Sequence, residues 1–178
     1  TVGFARRIAT YKRALLLFKD LDRLREIVSN ESYPVQFLFA GKAHPADRQA
    51  ASLIKEIVRI SKTPEFLGKV VFIEGYNIRV ARALVRGADL WLNNPIRPRE
   101  ASGTSVMKAA MNGVINCSIR DGWWDECYEE DEESGWSIGD STELENRDSQ
   151  DIHDSERLYE ILEERIIPLY YNRSTRNV

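Results

Sequence analysis

The fold is decided by residues 89–122, which read "DLWLNNPIRPREASGTSVMKAAMNGVINCSIRDG". The apolar run at 89–95 predicts a strand, residues 104–113 predict a helix, and 114–122 open with a second apolar run. Gly113 stands where a glycine commonly ends a helix. A strand, a helix and a strand in this order predict a parallel β–α–β unit.

The same alternation continues on both sides of this unit. Further strands are predicted at 1–8, 35–41, 69–75 and 135–139, and further helices at 11–30, 45–61, 78–88 and 154–172. Strands that alternate with helices predict an α/β fold with a doubly wound parallel sheet, and we expect residues 1–178 to form a single Rossmann-like domain. Ligands of such sheets bind beyond the carboxyl ends of the strands.

Composition narrows the class of protein. The 178 residues are 43% hydrophobic and 30% charged, with a net charge of −3, as in ordinary globular proteins. The charge argues against nucleic acid as a partner, and no apolar run reaches the ~20 residues that span a bilayer. The two cysteines form no disulfide framework, so we expect a cytoplasmic protein with an inert, buried Cys117. The chain ends suggest one domain of a longer polypeptide.

The turn before the predicted helix at 104–113 favours a phosphate ligand. A glycine-containing turn at 101–105 leads into a helix, where backbone N–H groups attract anions. Lys108 lies four residues after Thr104 on the same helix face, and helical side chains lean toward the N-terminus. A ligand with a phosphate and an aldehyde would suit this pair. Pyridoxal phosphate is such a ligand, because a desolvated lysine bonds readily to its aldehyde.

Cations are concentrated near the end of the first predicted strand. The segment "RRIATYKR" contains Arg6, Arg7, Lys12 and Arg13. Positive charge is disfavoured at the start of a helix, so a bound anion explains Lys12 and Arg13 better than a solvated helix start does. The solvated helix start stays open as the alternative.

Several other residues have two interpretations. Glu100 could accept hydrogen bonds from sugar hydroxyls or pair with Arg97 or Arg99. Trp123 and Trp124 could stack on a sugar or cover the sheet edge, and the sequence does not favour either.

The two remaining candidates are expected to be structural. His44 could be a general base, but a loop histidine before a helix is more often structural. The acidic run at 125–133, "DECYEEDEE", is expected to be a solvated, mobile loop rather than a metal site. Consecutive acidic residues cannot all face one ion, and no metal is expected.

Several motifs resemble those of one enzyme family. The segment "EASGTSVMKAAMNG" at 100–113 resembles the pyridoxal-phosphate attachment motif of the glycogen and α-glucan phosphorylases. Segments 6–13, 37–45 and 72–81 resemble the same family in the right order, and 111–126 followed by 135–139 resembles its bacterial and archaeal branch. The resemblance implies a GT-B arrangement, in which two Rossmann-like domains face each other across a cleft. This chain is similar to the C-terminal domain, without the N-terminal one.

The resemblance also implies roles for individual residues. Lys108 would carry pyridoxal 5′-phosphate covalently, with Tyr76 near the cofactor and Thr104, Ser105 and Arg6 around its phosphate. Arg7 and Lys12 would bind the substrate phosphate and take part in catalysis with Lys108. The residues implied for the sugar side of the site are Glu100, Ser102, Gly103 and Tyr11.

The implied activity is phosphorolysis of an α-1,4-glucan to α-glucose 1-phosphate with retention. The implied partners are the glucan, inorganic phosphate and the N-terminal domain, and a homo-oligomer of the full-length enzyme stays open. The chain alone is expected to be inactive. One alternative is a nucleotide-sugar glucan synthase, many of which have a second Glu eight residues after the first, where Lys108 follows Glu100 here. The other is a noncatalytic carbohydrate-binding fragment.

Overall fold

The described part of the chain is built on one parallel sheet. A computed structural model describes residues 1–130, 134–139 and 143–172. Its strands are β1 (Val2–Arg7), β2 (Phe37–Lys42), β3 (Val70–Ile73), β4 (Leu90–Asn93), β5 (Ile115–Ile119) and β6 (Gly135–Ile138). They pair in parallel in the order β3-β2-β1-β4-β5-β6. This confirms the predicted sheet, and the order is that of Rossmann folds.

The helices cover both faces of the sheet. They are α1 (Leu21–Ser29), α2 (Arg48–Ser61), α3 (Ile78–Gly87), α4 (Thr104–Ala110), α5 (Trp123–Glu130), α6 (Arg147–Ile161) and α7 (Ile167–Tyr171), with a π-helical turn between α6 and α7. Phe4 of β1 packs in a core with residues of α1, α2 and α6, whereas the next residue, Ala5, packs in a second core with residues of α3, α4 and α5. Successive strand residues thus face opposite layers, which makes the sheet doubly wound.

The first predicted helix is wrong in its first half. The chain forms two short 3₁₀ turns, at Thr10–Lys12 and Leu16–Lys19, and α1 begins only at Leu21. Arg13 adopts a left-handed conformation (φ 47°), which no α-helix can include. The Asp20 side chain accepts a hydrogen bond from the Arg23 N–H and so caps α1 at its actual start.

Two other boundaries differ from the prediction because of capping residues. The last helix begins at Arg147 rather than 154, since Asn146 accepts hydrogen bonds from two backbone N–H groups of its first turn. Asp47 caps α2 in the same way, so Pro45 precedes the helix instead of lying in its first turn. Gly113, with φ 76°, follows α4 as expected.

The acidic run is not a loop where it is described. Residues 125–130 belong to α5, and residues 131–133 lie outside the described residues. Arg120, which follows β5, binds Asp125 and Glu129 of the helix, so this charge pairing links α5 to the end of β5. Within the described ranges, no group of three or more His, Cys, Asp or Glu side chains is arranged to hold a metal ion.

The cysteines and the helix lengths test the remaining predictions from composition, which concern the thiols and membrane-spanning segments. Cys117 is fully buried, which confirms the prediction of a buried thiol, and burial raises its pKa to about 12. Cys127 is also a free thiol and is partly buried. None of the described helices is long and apolar enough to cross a membrane.

Candidate functional site

The sheet reverses its winding between β1 and β4. These strands are neighbours at the centre of the sheet, but α1 after β1 and α4 after β4 pack on opposite faces. The chain therefore diverges at their carboxyl ends and leaves a crevice, which is where ligands of doubly wound sheets bind. A cleft of about 620 Å³ opens there.

Most of the residues singled out from the sequence line this cleft. Those that do are Arg6, Arg7, Tyr11, Lys12, Tyr76, Glu100, Thr104, Ser105 and Lys108. Ser102 and Gly103 lie in the loop that leads into α4 but are not among the lining residues described. The structure thus brings together side chains from β1, the loop after it, the loop before α3, and α4 with its preceding loop.

Arg6 is the buried cation of the cleft. Only 5% of it is exposed, and its Nη2 donates a hydrogen bond to Ser105 Oγ at 2.9 Å. Its Nε and Nη1 atoms are buried and have no hydrogen-bond partner among the described residues. Burial lowers the pKa of Arg6 to about 10, although the Glu100 carboxylate opposes this effect. Arg6 is therefore still charged at neutral pH, with two donors free for an anion.

Glu100 pairs with Lys12 across the crevice. The Lys12 ammonium donates to both carboxylate oxygens, at 2.9 and 2.7 Å, and Arg6 Nη1 lies 3.9 Å from Oε1. The salt bridge to Arg97 or Arg99 that the sequence suggested is not found among the described residues, and Glu100 pairs with Lys12 and Arg6 instead. Arg97 instead lies close to Asp125 and Glu143, because the loop after β4 turns it away from the cleft.

Lys108 lines the cleft from α4 but is exposed, as is Thr104. Its ammonium has no ion pair or hydrogen bond within residues 1–130, 134–139 and 143–172. The expectation of a desolvated lysine therefore does not hold for this chain alone. Helix α4 has only seven residues, so the case for an anion rests on the buried Arg6 more than on the helix dipole.

Arg13 does not belong to the anion cluster, which corrects the interpretation of "RRIATYKR". Its side chain is 2% exposed and forms ion pairs with Asp154 at 2.6 Å and Asp151 at 3.1 Å. It also donates to the carbonyl oxygens of Asn94 and Pro95. Arg13 therefore ties α6 to the loops that follow β1 and β4, and carboxylates rather than a ligand neutralise it.

The other candidates lie outside the cleft. The Nδ1 atom of His44 accepts the backbone N–H of Ala46, which agrees with a structural histidine. Trp124 is 1% exposed and packs in the core beside α4, whereas Trp123 is partly buried. Trp124 therefore covers the sheet and is not available to stack on a sugar.

Sequence reasoning missed one wall of the cleft. The floor of the cleft includes Trp91 of β4, and α3 supplies a wall that carries two cations. The lining residues that were not predicted are Ala5, Ile78, Ala81, Arg82, Val85, Arg86, Trp91 and Asn112. Arg82 and Arg86 are four residues apart and so share one helix face, a signal that was present in the sequence.

The fold and the cleft together define a doubly wound α/β domain with a cationic crevice at its switch point. The chain belongs to the carbohydrate phosphorylase family, whose family model matches residues 4–164. It is 50% identical over 178 residues to a glycogen phosphorylase of Aquifex aeolicus, covering all of this chain and 25% of that protein.

Two further relatives are also phosphorylases. The chain is 48% identical to a maltodextrin phosphorylase of Thermococcus litoralis over 98% of this chain and 21% of that protein. It is 45% identical to a glycogen phosphorylase of Mycobacterium tuberculosis over 100% of this chain and 20% of that protein. The chain thus spans between 20% and 25% of the length of these relatives.

Proposed function

We propose that this chain is the cofactor- and phosphate-binding domain of an α-glucan phosphorylase, with the GT-B arrangement and a cytoplasmic location. The reaction is phosphorolysis of an α-1,4-glucan to α-glucose 1-phosphate with retention. Membership of the family and the names of the relatives support this assignment. The observation that carries it is Arg6, a buried cation with two unused donors in the same cleft as the unpaired Lys108.

The residues present fit pyridoxal phosphate. Arg6 and the Ser105 hydroxyl would hold its phosphate, since a phosphate can accept the Nε and Nη1 hydrogens that have no partner. Lys108, four residues after Thr104, would bond to the carbon of its aldehyde. Tyr76 lines the same cleft, and burial raises the pKa of its phenol, so it would stay a neutral contact for the ring.

The remaining cations suit a second phosphate. Arg7 is exposed at the end of β1, and Lys12 lies next to Tyr11 at the cleft. These two residues would hold the substrate phosphate and offset its repulsion by a neighbouring phosphate, which is severe where water is excluded. Glu100, together with Ser102, Gly103 and Tyr11, would position the glucosyl unit, with its carboxylate accepting sugar hydroxyls.

The chemistry proposed for this site is the one that the family resemblance implies. Bound pyridoxal phosphate would supply a phosphate group that exchanges a proton with the substrate phosphate. The substrate phosphate gives its proton to the glycosidic oxygen as the bond from that oxygen to C1 breaks. A phosphate oxygen then bonds to C1 on the same face, which gives the α product. Arg7 and Lys12 would keep the phosphate on that face throughout.

Two other functions were considered. A nucleotide-sugar synthase would share the fold and the cationic cleft, but Lys108 stands where many synthases have a second glutamate. A noncatalytic fragment would need no free amine, and no feature of the cleft favours it. The isolated chain is nevertheless expected to be inactive, because it leaves Lys108 exposed to water that weakens the electrostatic interactions.

The test uses the complete polypeptide, meaning the natural protein in which this chain occurs. It is incubated with a maltooligosaccharide and inorganic phosphate, with and without pyridoxal phosphate, and glucose 1-phosphate is measured. We expect the α anomer to form only when both phosphate and cofactor are present. Glucan elongation from a nucleotide sugar, without glucose 1-phosphate release, would identify a synthase instead.

A further inference from the structure

The turn after β5 holds the loop that contains Glu100. β4 and β5 pair from Leu90 and Ile115 to Asn93 and Ser118, so their carboxyl ends lie side by side. The segments that follow these ends, 94–103 and 120–123, are therefore neighbours. Three separate contacts join them, and none of these contacts has a part in the proposed reaction.

The first contact is made by the Asp121 carboxylate. Its Oδ2 accepts the backbone N–H of Glu100 at 2.7 Å, and its Oδ1 accepts the N–H of Gly122 at 2.9 Å. Asp121 is 7% exposed. Both oxygens are thus committed to backbone groups, and a buried carboxylate that accepts two N–H bonds is held firmly in place.

The other two contacts are made by the backbone beyond Asp121. Gly122 has φ 59°, and a Cβ atom added there would lie 2.4 Å from the carbonyl oxygen of Glu100. Trp123 donates its backbone N–H to the carbonyl oxygen of Ser102 at 3.0 Å. The turn therefore packs against the loop so closely that only glycine fits between them.

We propose that Asp121 is a positioning residue, which fixes the backbone of Glu100 so that its carboxylate faces the cleft. Glu100 is then held at both ends, at its N–H by Asp121 and at its carboxylate by Lys12. Gly122 acts with Asp121, because its lack of a side chain lets the turn reach the loop. The consequence for sugar binding rests on the proposed function, whereas the contact itself does not.

The test compares three variants of the complete polypeptide. Asp121→Asn leaves one acceptor oxygen for two N–H donors, and Gly122→Ala displaces the turn without a change of charge. Glu163→Gln is the control, because Glu163 is a partly buried carboxylate whose side chain pairs with Arg23 and contacts neither segment. Thermal unfolding first shows that each variant is folded.

The first measurement is hydrogen exchange in peptides that span Glu100. We expect exchange to be ~10-fold faster in Asp121→Asn and Gly122→Ala, since the first weakens the acceptor of the Glu100 N–H and the second displaces it, and unchanged in the control. Unchanged exchange in both variants would overturn the proposal. This measurement does not depend on enzymatic activity. It therefore tests the contact between Asp121 and Glu100 even if the polypeptide proves not to be a phosphorylase.

The second measurement is a kinetic cycle with Glu100→Ala. A displaced Glu100 should lower kcat/KM for the glucan by ~10-fold or more, because small errors in position are costly. In the Glu100→Ala background, Asp121→Asn should change kcat/KM less than about twofold, since the two residues act as one unit. An undiminished effect in that background would show that Asp121 does not act through Glu100, and would overturn the positioning role.

Discussion

The Lys12 ammonium and the Glu100 carboxylate are joined by two hydrogen bonds across the point where the sheet reverses its winding. Lys12 is the residue proposed for the substrate phosphate, and Glu100 is the residue proposed for the sugar. A bound phosphate must therefore either share Lys12 with Glu100 or replace Glu100 as the partner of Lys12. If both residues have these proposed roles, the two substrates would be coupled through this pair, because each would draw one partner away from the other.

The pair should also contribute to stability. Lys12→Met leaves a carboxylate that is 7% exposed, with Arg6 at 3.9 Å as the other cation described near it. We expect urea unfolding of the chain to show a loss of about 1.5–3 kcal/mol, the usual value of a charged hydrogen bond. Adding Glu100→Gln should recover part of this loss, because no unpaired carboxylate then remains buried. Equal stability of the single and double variants would contradict the account.

Loss of Arg7 or Lys12 should affect phosphate more than cofactor. Arg7→Ala and Lys12→Ala in the complete polypeptide each remove a contact worth roughly 1.5–3 kcal/mol, which corresponds to a rise of about 10–150-fold in the KM for phosphate. The pyridoxal content, measured by absorbance, should stay near that of the parent. An unchanged phosphate KM in both variants would remove these residues from the site.

The buried charge of Arg6 should lower the stability of the ligand-free chain, while its donors bind the cofactor phosphate. Burial lowers the pKa of Arg6 to about 10, so the folded state disfavours the charged form. Stability should rise as the pH rises above about 10 towards the ordinary pKa of arginine, and at neutral pH the charge costs stability. We expect Arg6→Met to stabilise the ligand-free chain by about 1–3 kcal/mol in urea. The exposed Arg157→Met serves as the control.

The same variant should lose the response to the cofactor. Pyridoxal phosphate should raise the melting temperature of the parent complete polypeptide but not that of Arg6→Met, because the buried donors for the phosphate are gone. An Arg6→Met protein that is less stable, yet still stabilised by pyridoxal phosphate, would show that Arg6 has a structural role only.

Replacement of Arg13 should lower the stability of the chain, in contrast to replacement of Arg6. Arg13→Met leaves Asp154 buried without its cation, and breaking such a pair costs about 3–5 kcal/mol. Arg13→Lys keeps the charge but loses the donors to Asn94 and Pro95, so we expect a smaller loss in urea unfolding. In the complete polypeptide, Arg13→Lys should leave the phosphate KM unchanged. A raised phosphate KM would return Arg13 to the anion site.

The fold was predictable because its pattern is local. Apolar runs and helical periodicity identified the strands and most helices, and the rule for doubly wound sheets located the cleft at the strand ends. The first half of the predicted helix at 11–30 failed for a reason that is not local. Arg13 turns to meet Asp154, which is 141 residues away in the chain, and no pattern within the segment reports that contact.

The sequence predicted which residues belong to the candidate site, but not which of these residues contact each other. Arg6 and Glu100 were singled out by their places near strand ends, and Lys108 by its place in α4 one turn after Thr104. The bond of Lys12 to Glu100 depends on β1 lying beside β4, and the hold of Asp121 on Glu100 depends on β4 lying beside β5. Alternation of strands and helices does not specify these neighbours.

The site of cofactor attachment tests the proposed role of Lys108 most directly. The complete polypeptide is incubated with pyridoxal phosphate, reduced with borohydride to fix any C=N bond, digested and mapped by mass spectrometry. The account predicts a pyridoxyl group on Lys108 and its loss in Lys108→Ala, with the exposed Lys19→Ala as a matched control that retains it. A folded protein that carries the group on another residue, or on none, would contradict the account.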